Sequence, residues 1–396
     1  MKIAVFGGGV VGGGVVQMLQ RYSEIEIAYI VVRDIHMKRD FDVPSECIVT
    51  SDIYAVLNDD TIDVVVEVMG GTDVAWEVIE RSLSRGKHVV TANKALISKY
   101  MHEIEKILSS VDRPFFLYEA AVCGGIPIVN AFLRSMRGDK IISMAGVMNG
   151  STNWILDKMH RTGFSYEKLL GEAKELGYLE ADPSADIQGW DARSKLCILA
   201  RLAFGVVLDE CEVPCIGIDS VRSADMDFAD SHDCCVKLIA SAWEQGGEVF
   251  AFVMPGMVRR DSQLARLVGP TNACNFEAQF SGSHTFIGSG AGRYPTANSV
   301  VSDILEIATL KKMKVSGGFE PFGSVPCRGK YNSDFKKAFY IRAESVGAAE
   351  TILDTLSRVG ISAVRDKEVV ETGVCSYTLL RGALGESTYS ALLVMG

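Results

Sequence analysis

The chain has 396 residues, 48% of them hydrophobic and 23% charged, with a formal net charge of -10. This length accommodates two or three domains with a sizeable core. The acidic balance argues against a broad nucleic-acid or anionic-membrane surface and leaves room only for local basic pockets. Its longest apolar runs, such as residues 62–68, are strand-sized, too short to cross a bilayer.

In chain order, MKIAVF runs straight into a glycine loop with no small-residue cleavage site, so no signal peptide is expected. Residues 2–6 form a short strand, and an apolar-periodic helix extends to about residue 22. Further strands are expected at 25–32, 62–68, 87–91 and 115–118, with a helix at 76–84. Strands alternating with helices imply parallel βαβ units and a doubly wound sheet. From about residue 130 the pattern becomes α+β. A strand at 141–149 enters a turn at Asn149-Gly150, and helices cover 151–160, 166–176 (ended by Gly177) and 188–204. Short strands follow near 249–253, 265–268 and 278–280, then a helix at 295–313. Residues 336–396 read as strand, helix, strand, strand, helix. The ten cysteines show neither a CxxC pair nor zinc-type spacing, which points to reduced thiols and a cytoplasmic protein.

Gly7-Gly8-Gly9-Val10-Val11-Gly12 satisfies G-x-G-x-x-G between a strand and a helix. Gly7 permits the tight turn, Gly9 lets backbone approach a pyrophosphate, and Gly12 allows close helix–strand packing. The N–H groups and partial positive charge of the helix start, at Val10 and Val11, then face the phosphates. After the second strand come Arg33 and Asp34, with Lys38 and Arg39 behind. A carboxylate there suits the ribose hydroxyls of NAD, and an arginine suits the 2′-phosphate of NADP. The leading position of Arg33 favours NADP, with NAD as the alternative.

The stretch GYLEADPSADIQGWDARSK (177–195) concentrates acids before a lysine. With Asp191 as origin on a helical wheel, Lys195 lies near 40° and Leu202 near 20°, so both charges continue the apolar row. An exposed i, i+4 pair would contribute only a few tenths of a kcal/mol. A pair on the buried stripe would instead mark a site. A lysine ammonium beside a carboxylate can protonate an alkoxide formed by hydride transfer. Acids in the preceding loop can grip a substrate ammonium.

These motifs, with EVMGGT (67–72), VVTANKAL (89–96), YEAAVCGGIPI (118–128), GVMNGSTNWIL (146–156) and GSGAGRYPTANSVVSDI (288–304), are similar to those of the homoserine dehydrogenase family over roughly residues 1–320. The resemblance implies Lys195 as proton donor, Glu180 as binder of the substrate amino group, and Asp186 and Asp191 as supporting acids. It implies Lys94 near nicotinamide and substrate, Arg33 on the 2′-phosphate, and Gly71, Thr72, Thr91 and the Gly290 loop at the border of the cofactor. It further implies a sodium ion held by Glu119 and the carbonyls of Val122, Gly124 and Ile126, and a homodimer. Lys94 also reads as a surface lysine, and Glu119 as a helix N-terminal charge. Cys123 lacks a nearby base for a nucleophilic role.

The expected architecture is α/β. A Rossmann-type doubly wound parallel sheet spans 1–130 and is completed by 295–325. An inserted α+β substrate and dimerisation domain spans 131–294, and an ACT-like C-terminal tail spans 336–396. The tail's acidic-x-x-glycine turn is blurred into AESVGAAE and its last strand is missing from the pattern, which puts threonine feedback in doubt and makes a packing or dimer-stabilising role at least an equal reading. The implied reaction is reversible NAD(P)H-dependent reduction of L-aspartate 4-semialdehyde to L-homoserine. Reduction of another amino-acid aldehyde or keto acid, and non-catalytic nucleotide sensing, are the other readings.

Overall fold

The computed structural model describes residues 1–110, 114–315, 322–323, 325–385 and 389–395. They divide into two compact units. The first comprises Met1–Gly138, Cys197–Val207 and Gly288–Pro326. The second comprises Asp139–Leu196, Leu208–Ile287 and Cys327–Gly396.

The first unit is built on six strands: β1 (Lys2–Phe6), β2 (Glu26–Val31), β3 (Ile48–Thr50), β4 (Val64–Glu67), β5 (His88–Thr91) and β6 (Phe116–Leu117). Their order is β3-β2-β1-β4-β5-β6, and every pairing is parallel. A parallel sheet is covered on both faces, so its strands read as near-continuous apolar runs. Accordingly Ile3, Ala4, Val5 and Phe6 of β1 and Val64, Val65 and Val66 of β4 are completely buried. On one face lie Val15, Val16 and Leu19 of the first helix (Val10–Leu19), packed with Ala297, Val300, Ile304 and Ile307 of the helix Arg293–Lys312. The strand order reverses between β1 and β4, the switch point where open α/β sheets bind ligands beyond their carboxyl ends.

The second unit carries the remaining strands: β7 (Ile141–Val147), β8 (Cys234–Gln245), β9 (Glu248–Arg259), β10 (Thr271–Ala278), β11 (Gly282–Ser289), β12 (Lys330–Tyr331), β13 (Lys336–Ala343), β14 (Ala363–Asp366), β15 (Val369–Thr372), β16 (Cys375–Ser376) and β17 (Tyr389–Met395). The main path runs β11-β10-β7-β8-β9-β17-β13-β15-β14. β8 and β9 form a hairpin of two 12-residue strands. Gln245 pairs with Glu248 across Gly246 and Gly247, both at positive φ, as a primed two-residue turn requires.

The structure departs from the sequence expectations at several elements. β8 was not anticipated, because Lys237 interrupts its apolar pattern. The lysine is buried, donating to the Asn153 Oδ1 and the Leu267 carbonyl. The strand expected near 265–268 is a 3-10 turn, Leu264–Arg266. The one expected at 278–280 lies earlier, as β10. Asn149-Gly150 does not form a turn: Asn149 caps the helix Gly150–Thr162. The tail does contain a last strand. β17 lies antiparallel to β13 and parallel to β9, with Val394 opposite Gly256. The short SALLVM run near the chain end offered no bounding turn signal by which to read it.

Candidate active site

The glycine loop follows β1 directly. Gly7 has φ +115°, and a Cβ on it would stand 2.6 Å from the Val68 carbonyl oxygen. A Cβ on Gly12 would stand 1.9 Å from the Gly7 carbonyl oxygen, so no larger residue fits without moving backbone. Gly9 differs: nothing lies within 4 Å of its missing Cβ. It is the N-cap of the first helix and supplies no side-chain bond to the first-turn amides. Val10 is exposed there and Val11 half-buried. The loop therefore presents first-turn helix N–H groups at a position without a side chain, the arrangement that takes a pyrophosphate.

Around it, Glu67 at the end of β4 is completely buried. Its Oε1 accepts the Met69 N–H at 2.9 Å, and its Oε2 accepts the Thr91 hydroxyl at 2.6 Å. Burial pushes its carboxyl above the usual range against these donors. Thr91 in turn accepts the Asn93 N–H at 3.0 Å, and the Asn93 amide donates to the Gly71 carbonyl at 2.7 Å. The loops after β4 and β5 are thus tied together at the carboxyl ends of the sheet. Gly70 and Gly71 adopt positive φ, and Thr72 is the N-cap of the helix Asp73–Ser84. Lys94 is half-buried at the start of the helix Lys94–Lys99, which Asn93 caps. Gly290 lies against Gly124, whose missing Cβ would stand 2.5 Å from the Gly290 carbonyl oxygen.

Beyond β2, Arg33 is exposed. The Asp34 carboxylate is turned into its own loop, accepting the His36 N–H at 2.9 Å. The Arg39 guanidinium donates to the Asp34 carbonyl, while its Nε is buried and has no hydrogen-bond partner among the described residues.

In the second unit, Asp191 and Lys195 sit in the helix Trp190–Phe204 and point inward, as the helical wheel requires. Each side chain is only 8% exposed, and the Lys195 Nζ lies 2.6 Å from the Asp191 Oδ2. The ammonium also donates to the Met148 carbonyl at 2.7 Å. A buried ion pair is tolerated when further hydrogen bonds satisfy its remaining groups. Here the Asn149 amide supplies one to Asp191 at 2.9 Å and another to Asp186 at 2.5 Å. Asp186 lies in the short helix Ser184–Ile187 and is half-buried. Glu180 is exposed in the loop beyond Gly177, and among the described residues no hydrogen bond or ion pair ties it to this cluster. Asp182 is spent locally, accepting from the Ser184 N–H and hydroxyl.

The segment after β6 enters a 3-10 turn, Glu119–Ala121, and then two consecutive left-handed residues, Cys123 and Gly124. Both carboxylate oxygens of Glu119 accept backbone N–H groups, from Val129 at 2.9 Å and Asn130 at 2.7 Å. This is the helix-terminal role that stood as its alternative reading. Burial pushes the carboxyl to about 7 despite those donors. The Gly124 carbonyl accepts the Ser299 hydroxyl at 2.8 Å, and that of Ile126 accepts the Ile128 N–H at 2.8 Å. Val122 is wholly buried. Among the described residues no group of three or more His, Cys, Asp or Glu suits a metal ion.

Glu67 and Asn149 went unassigned in the sequence. Both lie in motifs that carry the resemblance, but an acid ending a strand and an Asn-Gly pair read locally as punctuation.

A glycine cradle at the switch point of a doubly wound sheet and a buried lysine–carboxylate pair define the class, an NAD(P)-dependent oxidoreductase. The homoserine dehydrogenase NAD-binding domain model matches residues 7–116, and the homoserine dehydrogenase model matches 127–305. The chain is 39% identical to a homoserine dehydrogenase of Synechocystis over 78% of its own length and 74% of that protein. Its fold matches the crystal structure of a homoserine dehydrogenase from Thiobacillus denitrificans with a TM-score of 0.86 at 28% identity, covering 100% of this chain and 98% of that one. A hyperthermophilic archaeal homoserine dehydrogenase in complex with NADPH superposes with a TM-score of 0.67 at 28% identity, covering 78% of this chain and 98% of that one. The chain belongs to the homoserine dehydrogenase family.

Proposed function

We propose that the protein catalyses reversible NADPH-dependent reduction of L-aspartate 4-semialdehyde to L-homoserine, feeding threonine, methionine and isoleucine synthesis. The observation that carries this reading is the buried Lys195–Asp191 pair with its neighbouring acid Asp186. When bound, the cofactor supplies a hydride to the aldehyde carbon. Lys195 hydrogen-bonds to the aldehyde oxygen and gives it a proton as negative charge develops, leaving a neutral amine that regains its proton from solvent. Asp191 orients the lysine ammonium. Glu180, exposed and uncommitted to that pair, and Asp186 take the substrate ammonium. Lys94 opens the helix that follows the loop braced by Glu67, Thr91 and Asn93, where it serves both substrate and cofactor.

Gly7, Gly9, Val10, Val11 and Gly12 hold the pyrophosphate, bordered by Gly71, Thr72, Thr91 and Gly290. NADP is favoured over NAD because Arg33 stands exposed after β2 while Asp34 is occupied with its own loop. The sodium ion that the resemblance implies would be held by Glu119 and the carbonyls of Val122, Gly124 and Ile126. A carbonyl that accepts one hydrogen bond keeps a second lone pair, and hard oxygens suit such a cation. The Glu119 side chain acts there as a helix cap. A homodimer follows from the family resemblance, with exposed Ile142 on β7 and Ile287 on β11 as apolar surface for it. A cytoplasmic location suits cysteines that show neither a CxxC pair nor zinc-type spacing.

The test mixes purified protein and L-aspartate 4-semialdehyde with NADPH or NADH and follows nicotinamide absorbance. Consumption faster with NADPH and matched by homoserine formation is the expected result. An inert semialdehyde beside a reduced keto acid would remove the substrate assignment.

A further inference from the structure

The proton-donor assembly includes a neutral side chain from outside the 177–195 stretch that touches both of its acids. Asn149 is buried between β7 and the helix Gly150–Thr162. Its two ends do different work. The Oδ1 caps the helix, accepting the Thr152 N–H at 2.9 Å and the Thr152 hydroxyl at 3.0 Å. The Nδ2 donates to Asp186 Oδ1 at 2.5 Å and to Asp191 Oδ2 at 2.9 Å. The oxygen of Asp191 that receives the amide is the one that binds Lys195. The preceding carbonyl, that of Met148, accepts the lysine's second bond and is itself held by the Asn272 amide at 2.9 Å.

Helix capping fixes the orientation of the Asn149 amide. With Oδ1 facing Thr152, the NH2 group must face the acids. One amide nitrogen carries two hydrogens, and here each reaches a different carboxylate. Two like charges converging on one amide repel, and a neutral double donor stabilises both ionised forms at once. Ser, Thr and Asp cap helices as well as Asn does, but none of them offers this pair of donors. Capping alone therefore does not account for asparagine at this position.

We propose that Asn149 is a positioning residue for the proton transfer. It acts through Asp186 and Asp191, holding both ionised and fixing the carboxylate oxygen that orients Lys195. This rests on the reading of Lys195 as proton donor. The charged groups that meet Asn149 are Asp186 and Asp191 and, through Asp191, Lys195.

The test compares wild type with Asn149→Ser and Asn149→Asp, both of which keep a capping oxygen. Steady-state kcat and KM are measured across pH, with thermal melting recorded for each protein. In Asn149→Ser the capping oxygen remains, so the melting temperature falls by only a few degrees as the acids lose their donor. Its kcat falls by about tenfold to a hundredfold, the loss of hydrogen bonds to charged groups, with a smaller change in KM. The acid limb of its kcat–pH profile moves to higher pH, because carboxylates without their donor take up protons more readily. In Asn149→Asp a third carboxylate faces the other two, and the limb moves further. Wild-type kcat and pH profile in Asn149→Ser would overturn the inference. So would activity losses in both variants that merely track lost thermal stability, which would leave capping as the whole role. Lys195→Ala, assayed in parallel, separates the levels. If it keeps full turnover, the proton-donor reading fails first. If it is inactive while Asn149→Ser behaves as wild type, only the role of Asn149 is lost.

Discussion

The glycine cradle of the first unit and the acid–lysine cluster of the second solve opposite problems. The cradle works by leaving side chains out. Its ligand-facing surface is backbone, and the Gly7–Gly12 contact leaves no room for a methyl group. The cluster works by putting charge in. Lys195 and Asp191 are buried together at a desolvation cost that Asn149 and the Met148 carbonyl offset. The first site is therefore damaged by adding atoms and the second by removing them.

The sharpest way to break that contrast lies within the cradle itself. Gly12→Ala forces a Cβ onto the Gly7 carbonyl, and overpacking of this kind costs about 1–3 kcal/mol or more. The melting temperature should fall by many degrees and NADPH binding should vanish. Gly9→Ala, with open space around its new methyl, should melt as wild type and still lose affinity in a fluorescence titration, because the methyl occupies ligand space. Equal stability for both variants, or full affinity in Gly9→Ala, would contradict a site made by omission. A smaller effect is expected at the rim, where a side chain does contribute. Arg33→Ala should raise the KM for NADPH by about ten- to hundredfold, the worth of a charge-assisted contact, and leave that for NADH unchanged. An equal rise for both cofactors would remove the 2′-phosphate role.

The two regions also differed in how far they could be read from the chain. The cradle is contiguous: strand, glycines and helix follow one another within residues 2–19, so local rules place it. Asp191 and Lys195 share one helix, and its period was enough to turn them inward. Asn149 stands 42 residues from Asp191, and its second amide contact exists only because β7 and the helix Gly150–Thr162 bring it there. Glu67 and Thr91 are likewise joined across β4 and β5. Periodicity carries no information on such long-range polar pairings. β8 was hidden for a related reason. Lys237 looks like a solvent-facing interruption until the Asn153 oxygen and the Leu267 carbonyl are in place to receive it. The carbonyls after β6 leave no trace in side-chain identity, so the resemblance alone pointed to them.

The proposed chemistry depends on one amine, and the most direct measurement is made on it. Lys195→Ala should lower the rate of NADPH-dependent semialdehyde reduction by about 10²–10⁴-fold, the usual span for a lost general acid, while its dissociation constant for NADPH stays within about twofold of wild type. Turnover at the wild-type rate in a folded, NADPH-binding Lys195→Ala protein would show that the proton comes from elsewhere.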